Sequence, residues 1–169
     1  VRDPLVVGIT DLRKRPGTQR HVEIDAELPG LQLSSAAVPP DEPVHVDVML
    51  ESLTDGLTAT GTIRAPWVGE CRRCLDPVRG VVEARLREVY DPHPIEGETY
   101  PFEGDRVDLE PMVRDVVLLA LPLAPLCRDD CPGPAPETFP TVVAADDAGD
   151  EAAPATDPRW AALDELRFE

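Results

Sequence analysis

Four cysteines are the residues of this chain whose type and spacing could do chemistry. They fall in two pairs, Cys71 and Cys74 in "GECRRCLDPV" and Cys127 and Cys131 in "PLCRDDCPG", separated by 52 residues. A C-x2-C or C-x3-C spacing lets one backbone turn present two sulfurs to one ion, and tetrahedral Zn2+ takes four such ligands from two turns. Pro66, Gly69 and Pro77 bracket the first pair, and Pro125, Pro132 and Gly133 the second, so both pairs are expected in turns. Three readings stay open: a structural zinc site, which the spacing favours, four reduced thiols, or a redox or disulfide pair. A redox pair wants a low-pKa thiol at a helix N-terminus in a βαβ setting, whereas Cys71 follows one expected strand and precedes another. Four thiolates leave no open position for a catalytic metal.

The elements that must position these turns are mostly strands. "HVEIDAEL" alternates strictly, with Val22, Ile24, Ala26 and Leu28 on one face. "VHVDVMLE" places Val44, Val46, Val48 and Leu50 inward, and "GLTATGTIRA" does the same with Leu57, Ala59 and Ile63. Asp55-Gly56 between the last two predicts a hairpin. "VRGVVEARLREVY" is a further strand with Val82, Ala84 and Leu86 inward. One-sided alternation belongs to an antiparallel sheet with one face on a core. The expected class is therefore α+β: an antiparallel β-rich sheet or partly open barrel with one helix packed on it.

That helix is "DLEPMVRDVVLLALP", with Asp108 as N-cap, Pro111 in the first turn and Pro122 as a stop. Met112, Val113, Val116, Val117, Leu119 and Ala120 form the apolar stripe expected against the sheet. "DPRWAALDELRF" predicts a second, short amphipathic helix with Trp160, Leu163 and Leu166 as its contact face. Between them a stretch rich in Pro, Ala and acids cannot bury enough apolar surface to order itself. The expected organisation is a β-rich domain over 1–131 carrying both cysteine turns, a disordered acidic linker over 132–156 and a helix over 157–169.

The formal charge is −17, and residues after Arg128 hold 2 basic and 11 acidic side chains, so −9 of it lies there. Such a balance disfavours nonspecific adhesion to nucleic acid or anionic lipid and favours basic protein partners. No run approaches the roughly 18 apolar residues of a membrane span, and no signal-like segment opens the chain, so a cytoplasmic protein is expected. In that compartment thiols stay reduced, which weakens the disulfide reading. The three serines and three histidines form no nucleophile-and-base pattern, and no glycine-rich phosphate loop is present, so no enzyme is expected. The basic residues cluster at Arg13, Lys14, Arg15 and Arg20 and at Arg72 and Arg73. Such clusters could contact RNA phosphates, or simply balance neighbouring acids.

"DLRKRPGTQR", "GECRRCLDPV", "VDLEPMVRDVVLLALPLAPLC", "DDCPG" and "DPRWAALDEL", in this order, resemble the YceD-like large ribosomal RNA subunit accumulation proteins in their high-GC bacterial form. The resemblance implies a non-enzymatic factor needed for accumulation of large-subunit ribosomal RNA. It implies as partners that RNA or its precursor particle, and a basic zinc-binding large-subunit ribosomal protein whose gene often neighbours the family's own. It also carries over Cys71, Cys74, Cys127 and Cys131 as metal ligands. Many relatives add a "GLCP-x-CG" segment, which "CPGPAPETF" lacks. An acidic tail suits a basic ribosomal protein, so a chaperone for such a protein without RNA contact stands as the alternative.

Overall fold

Val44, Val46, Val48 and Leu50 are completely buried, while the residues between them are only half-buried. Each such side chain contributes about 1.5–3 kcal/mol on leaving water, which fixes which face of the strand turns inward. The computed structural model describes residues 4–138. In chain order these form β1 (Val6–Gly8), a 3-10 turn (Leu12–Lys14), β2 (Gln19–Ala26), β3 (Ala36–Ala37), β4 (Val44–Ser52) and β5 (Leu57–Glu70). There follow β6 (Pro77–Asp91), β7 (Tyr100–Glu103), β8 (Arg106–Asp108) and α1 (Glu110–Ala120). The expected helix over 157–169 and the linker from 139 onward lie outside the described residues.

The strands run β1-β8-β7-β6-β5-β4-β2 in one sheet, with β3 added on β5. All pairs are antiparallel except the short β6–β7 pair. The sheet curls into a half-barrel, and the class is α+β as expected. Asp55 and Gly56 lie in the turn that pairs Ser52 with Leu57, as the hairpin signal predicts. The inner face carries Val22, Ala26, Leu57, Ala59, Ile63, Leu86 and Tyr90, all buried. Gly61 interrupts this row for a reason: a Cβ there would lie 2.7 Å from Val48 Cα and press on the Asp47 carbonyl. The bare backbone lets β5 approach β4 closely at this point.

The open side of the half-barrel is closed by α1 through Met112, Val113 and Val117, and by Leu5, Ile9 and Leu12 of the N-terminal segment. The helix begins at Glu110 rather than directly after Asp108, yet the Asp108 carboxylate still accepts the Glu110 N–H at 2.9 Å. Leu119 departs from the expected stripe and is 87% exposed. At 100° per residue it stands about 160° round the helix from Val117, on the side turned away from the sheet. β1, β3, β7 and β8 are additional short strands. They hold to each neighbouring strand by two or three residue pairs, with no hydrophobic alternation long enough to announce them.

Candidate metal centre

β5 and β6 pair over their whole common length, from Leu57–Tyr90 at one end to Glu70–Pro77 at the other. Cys71 and Cys74 therefore sit in the tip of the longest hairpin of the sheet. The tip is a tight turn: Cys71 N–H donates to Asp76 O and Leu75 N–H to Cys71 O, both at 2.8 Å. Leu75 adopts φ 65, a left-handed conformation disfavoured for L-residues by about 1–2 kcal/mol. A turn that accepts this at an exposed leucine is held by something stronger than its own preference.

The second pair reaches the tip because the chain after α1 returns along β5. Ser35 Oγ donates to Pro122 O at 2.9 Å, and Arg72 N–H donates to Pro125 O at 2.9 Å, directly joining the two turns. Cys131 N–H donates to Arg128 O at 3.1 Å, closing the second turn. Arg73 spans both, its Nη1 donating to Asp129 O and Cys131 O at 3.0 Å each.

The four sulfurs consequently all lie within 4.8 Å of one another. Cys71 Sγ is 3.8 Å from Cys131 Sγ, and Cys74 Sγ is 3.7 Å from Cys127 Sγ. A disulfide needs about 2.05 Å, so the cysteines are free thiols. A tetrahedral ion with metal–sulfur bonds of about 2.3 Å has sulfur–sulfur edges of about 3.8 Å, which the two measured pairs match. Cys71 and Cys131 are buried, Cys74 is half-buried and Cys127 is exposed. The donor set and spacing fit one four-coordinate ion with no position left open.

Electrostatics point the same way. The Cys71 thiol is drawn down to about 6, chiefly by the backbone N–H of Cys74 and also by those of Cys127 and Arg73, which together outweigh burial. Cys74 is pushed up. The Asp76 backbone N–H favours its thiolate, but burial, the Asp76 side chain and the sulfurs of Cys71 and Cys131 prevail. Cys127 is raised by the Cys131 sulfur first and by burial second. Neighbouring thiolates repel, and a bound cation offsets that repulsion.

The other residues singled out from sequence are dispersed. Arg13 donates to Gly104 O at 2.7 Å, pairs with Asp105 at 3.3 Å and stacks over Phe102 at 5.9 Å. Lys14 pairs with Asp11 at 2.8 Å, and Arg20 donates to Gly8 O and faces Asp11 at 3.6 Å. Arg13 thus ties the 3-10 turn to the β7–β8 turn, Lys14 closes locally on Asp11, and Arg20 ties β2 to β1 and Asp11. Arg15 and Arg72 are exposed. Arg73 is the site residue whose role sequence reasoning missed: it is a strap across the cysteine turns. Trp160, Leu163 and Leu166 lie outside the described residues. Among the described residues, no helix is long and apolar enough to cross a membrane.

Comparison with known proteins places this arrangement. The family model described as large ribosomal RNA subunit accumulation protein YceD matches residues 59–167, which include all four cysteines. Uncharacterized proteins of Mycobacterium bovis and Mycobacterium tuberculosis are 36% identical over 98% of this chain and 83% of their own length. One from Mycobacterium leprae is 36% identical over 77% of this chain and 64% of its own. No solved structure matches. The chain belongs to the YceD family of large ribosomal RNA subunit accumulation proteins.

Proposed function

We propose that this chain is a cytoplasmic, non-enzymatic factor for large-subunit ribosomal RNA accumulation and 50S-type subunit assembly, with Zn2+ clamping Cys71, Cys74, Cys127 and Cys131. The observation that carries the reading is the meeting of two cysteine turns at tetrahedral spacing in a chain of this family. An all-thiolate tetrahedral set suits zinc or iron, and zinc adds no redox chemistry. Bound there, the ion would supply cross-linking: it would tie the tip of the β5–β6 hairpin to the segment that follows α1. The clamp is structural, and the working surfaces lie elsewhere on the domain. The partner is large-subunit precursor RNA or its particle.

Depletion of the protein in its own host tests this. The ratio of large- to small-subunit ribosomal RNA should fall, be restored by the wild-type chain, and be restored poorly by Cys71→Ser/Cys74→Ser. An unchanged ratio on depletion would refute the reading.

A second reading is supported by the −9 carried after Arg128: a chaperone for a basic zinc-binding large-subunit ribosomal protein, with Trp160, Leu163 and Leu166 as its contact face. Removal of residues 139–169 should then abolish binding to that protein, and unchanged binding would exclude it.

A further inference from the structure

The outer face of the half-barrel divides into two halves. On β2 and β4 the carboxylates have partners: Asp47 holds His21 at 2.6 Å, Asp25 holds His45 at 2.8 Å, and Glu51 accepts from Gln19 at 3.1 Å. Glu83 on β6 is taken by Arg64 on β5 at 2.8 Å, and Arg79 is taken by Glu42 at 3.1 Å. On β5 and β6 two arginines remain. Arg85 and Arg87 are exposed on the outward side of β6, next to one another on the same face, and no ion pair or hydrogen bond engages either among the described residues. Directly across on β5 stand Thr62 and Thr60, followed by Thr58 opposite Val89. Beyond Arg85 and Arg87 the sheet stops, because β7 meets β6 only at Tyr90 and Asp91.

This gives a strip of two guanidinium groups and three hydroxyls. Residues two apart on a strand are separated by about 7 Å, comparable to successive phosphates along an extended nucleic-acid strand. In a chain of net charge −17, two adjacent arginines without carboxylate partners are a local exception to the general repulsion of polyanions. Guanidinium forks and hydroxyl donors are the groups that grip phosphate and ribose oxygens. No aromatic residue lies in the strip, so the contact reads backbone rather than bases.

We infer that Arg85 and Arg87, with Thr58, Thr60 and Thr62, form a docking strip for the phosphate backbone of RNA. This inference rests on the large-subunit RNA reading above, and it moves the main contact from the N-terminal and cysteine-turn arginines to the outer face of β5 and β6. The strip is sequence-independent and positions the protein on RNA selected by other means.

The test is the salt dependence of binding between full-length, metal-loaded protein and deproteinised large-subunit ribosomal RNA. Two lost phosphate contacts on single-stranded RNA lower the slope of log K against log salt by about 1.4. Arg85→Gln/Arg87→Gln should show that drop together with weaker binding, while its melting temperature stays at the wild-type value. Arg15→Gln/Arg72→Gln should keep the wild-type slope, and sodium polyglutamate should compete poorly. Absence of RNA binding, a double variant on β6 with the wild-type slope, a slope that falls only in the Arg15/Arg72 variant, or preferential binding of polyglutamate would each overturn the strip. Full rescue of the ribosomal RNA ratio by Arg85→Gln/Arg87→Gln after depletion would overturn the strip while leaving the proposed function standing. A ratio unmoved by depletion would remove both.

Discussion

Stripping the metal should loosen the domain by an amount that follows from where the cysteines sit. The clamp closes the chain between Cys74 and Cys127, with 52 residues between them. In the chain-entropy treatment of a cross-link, a loop of that size removes about 14 cal/mol/K from the unfolded ensemble, or about 4 kcal/mol at 25 °C. If the ion instead leaves on unfolding, stabilisation follows free metal, reaching about 2.7 kcal/mol at a hundredfold excess over Kd. Both routes give about 3–4 kcal/mol. For a domain the size of residues 4–138, an unfolding entropy of about 2 cal/mol/K per residue converts this to roughly 10–15 °C in Tm. The assay is thermal unfolding of zinc-loaded protein against protein stripped with a strong chelator under reducing conditions, repeated with Cys71→Ser/Cys74→Ser. The stripped protein and the variant should melt together, well below the loaded protein. A chelator-induced shift under about 2 °C would refute the clamp, because the hairpin tip and the segment after α1 would then be held by packing alone.

Arg73 should matter to metal rather than to RNA: Arg73→Ala removes both donors to Asp129 O and Cys131 O. Metal affinity in a chelator competition should then fall about 10–100-fold, with the salt slope of RNA binding unchanged. Gly61→Ala forces a Cβ against the backbone of β4. Denaturant unfolding should show a loss of about 3 kcal/mol, the upper end for an overpacked site. Leu50→Ala at a fully buried position should cost about 2–5 kcal/mol, whereas Leu119→Ser on the exposed side of α1 should stay within about 0.5 kcal/mol. Equal losses at the two leucines would contradict the placement of the helix.

Why some of this was legible in the sequence and some was not has a physical basis. β2, β4 and β5 each carry several alternating apolar residues, and burial of one face leaves a period-two pattern that survives without knowledge of the partner strand. The cysteine turns were legible for a similar reason, since short spacing and flanking proline and glycine are local requirements of the turn. Leu119 was misplaced because an apolar residue at the margin of a helical stripe does not reveal how far the sheet extends. β1, β7 and β8 are too short to carry a pattern, and neighbours brought by the rest of the chain decide them. Arg73 carries no local signal that separates a strap from a surface charge; its partners, Asp129 O and Cys131 O, lie more than fifty residues away. Arg85 and Arg87 were in part readable, since "EARLRE" alternation places both outward, but the pairing of the surrounding carboxylates needed the sheet register.

The most direct test of the centre is metal content by mass spectrometry on protein purified without added metal, paired with a thiol count before and after denaturation. A zinc clamp predicts about one zinc per chain, with the four thiols masked until chelation or unfolding. Protein free of metal, with thiols reactive in the folded state and no uptake of added zinc, would contradict it.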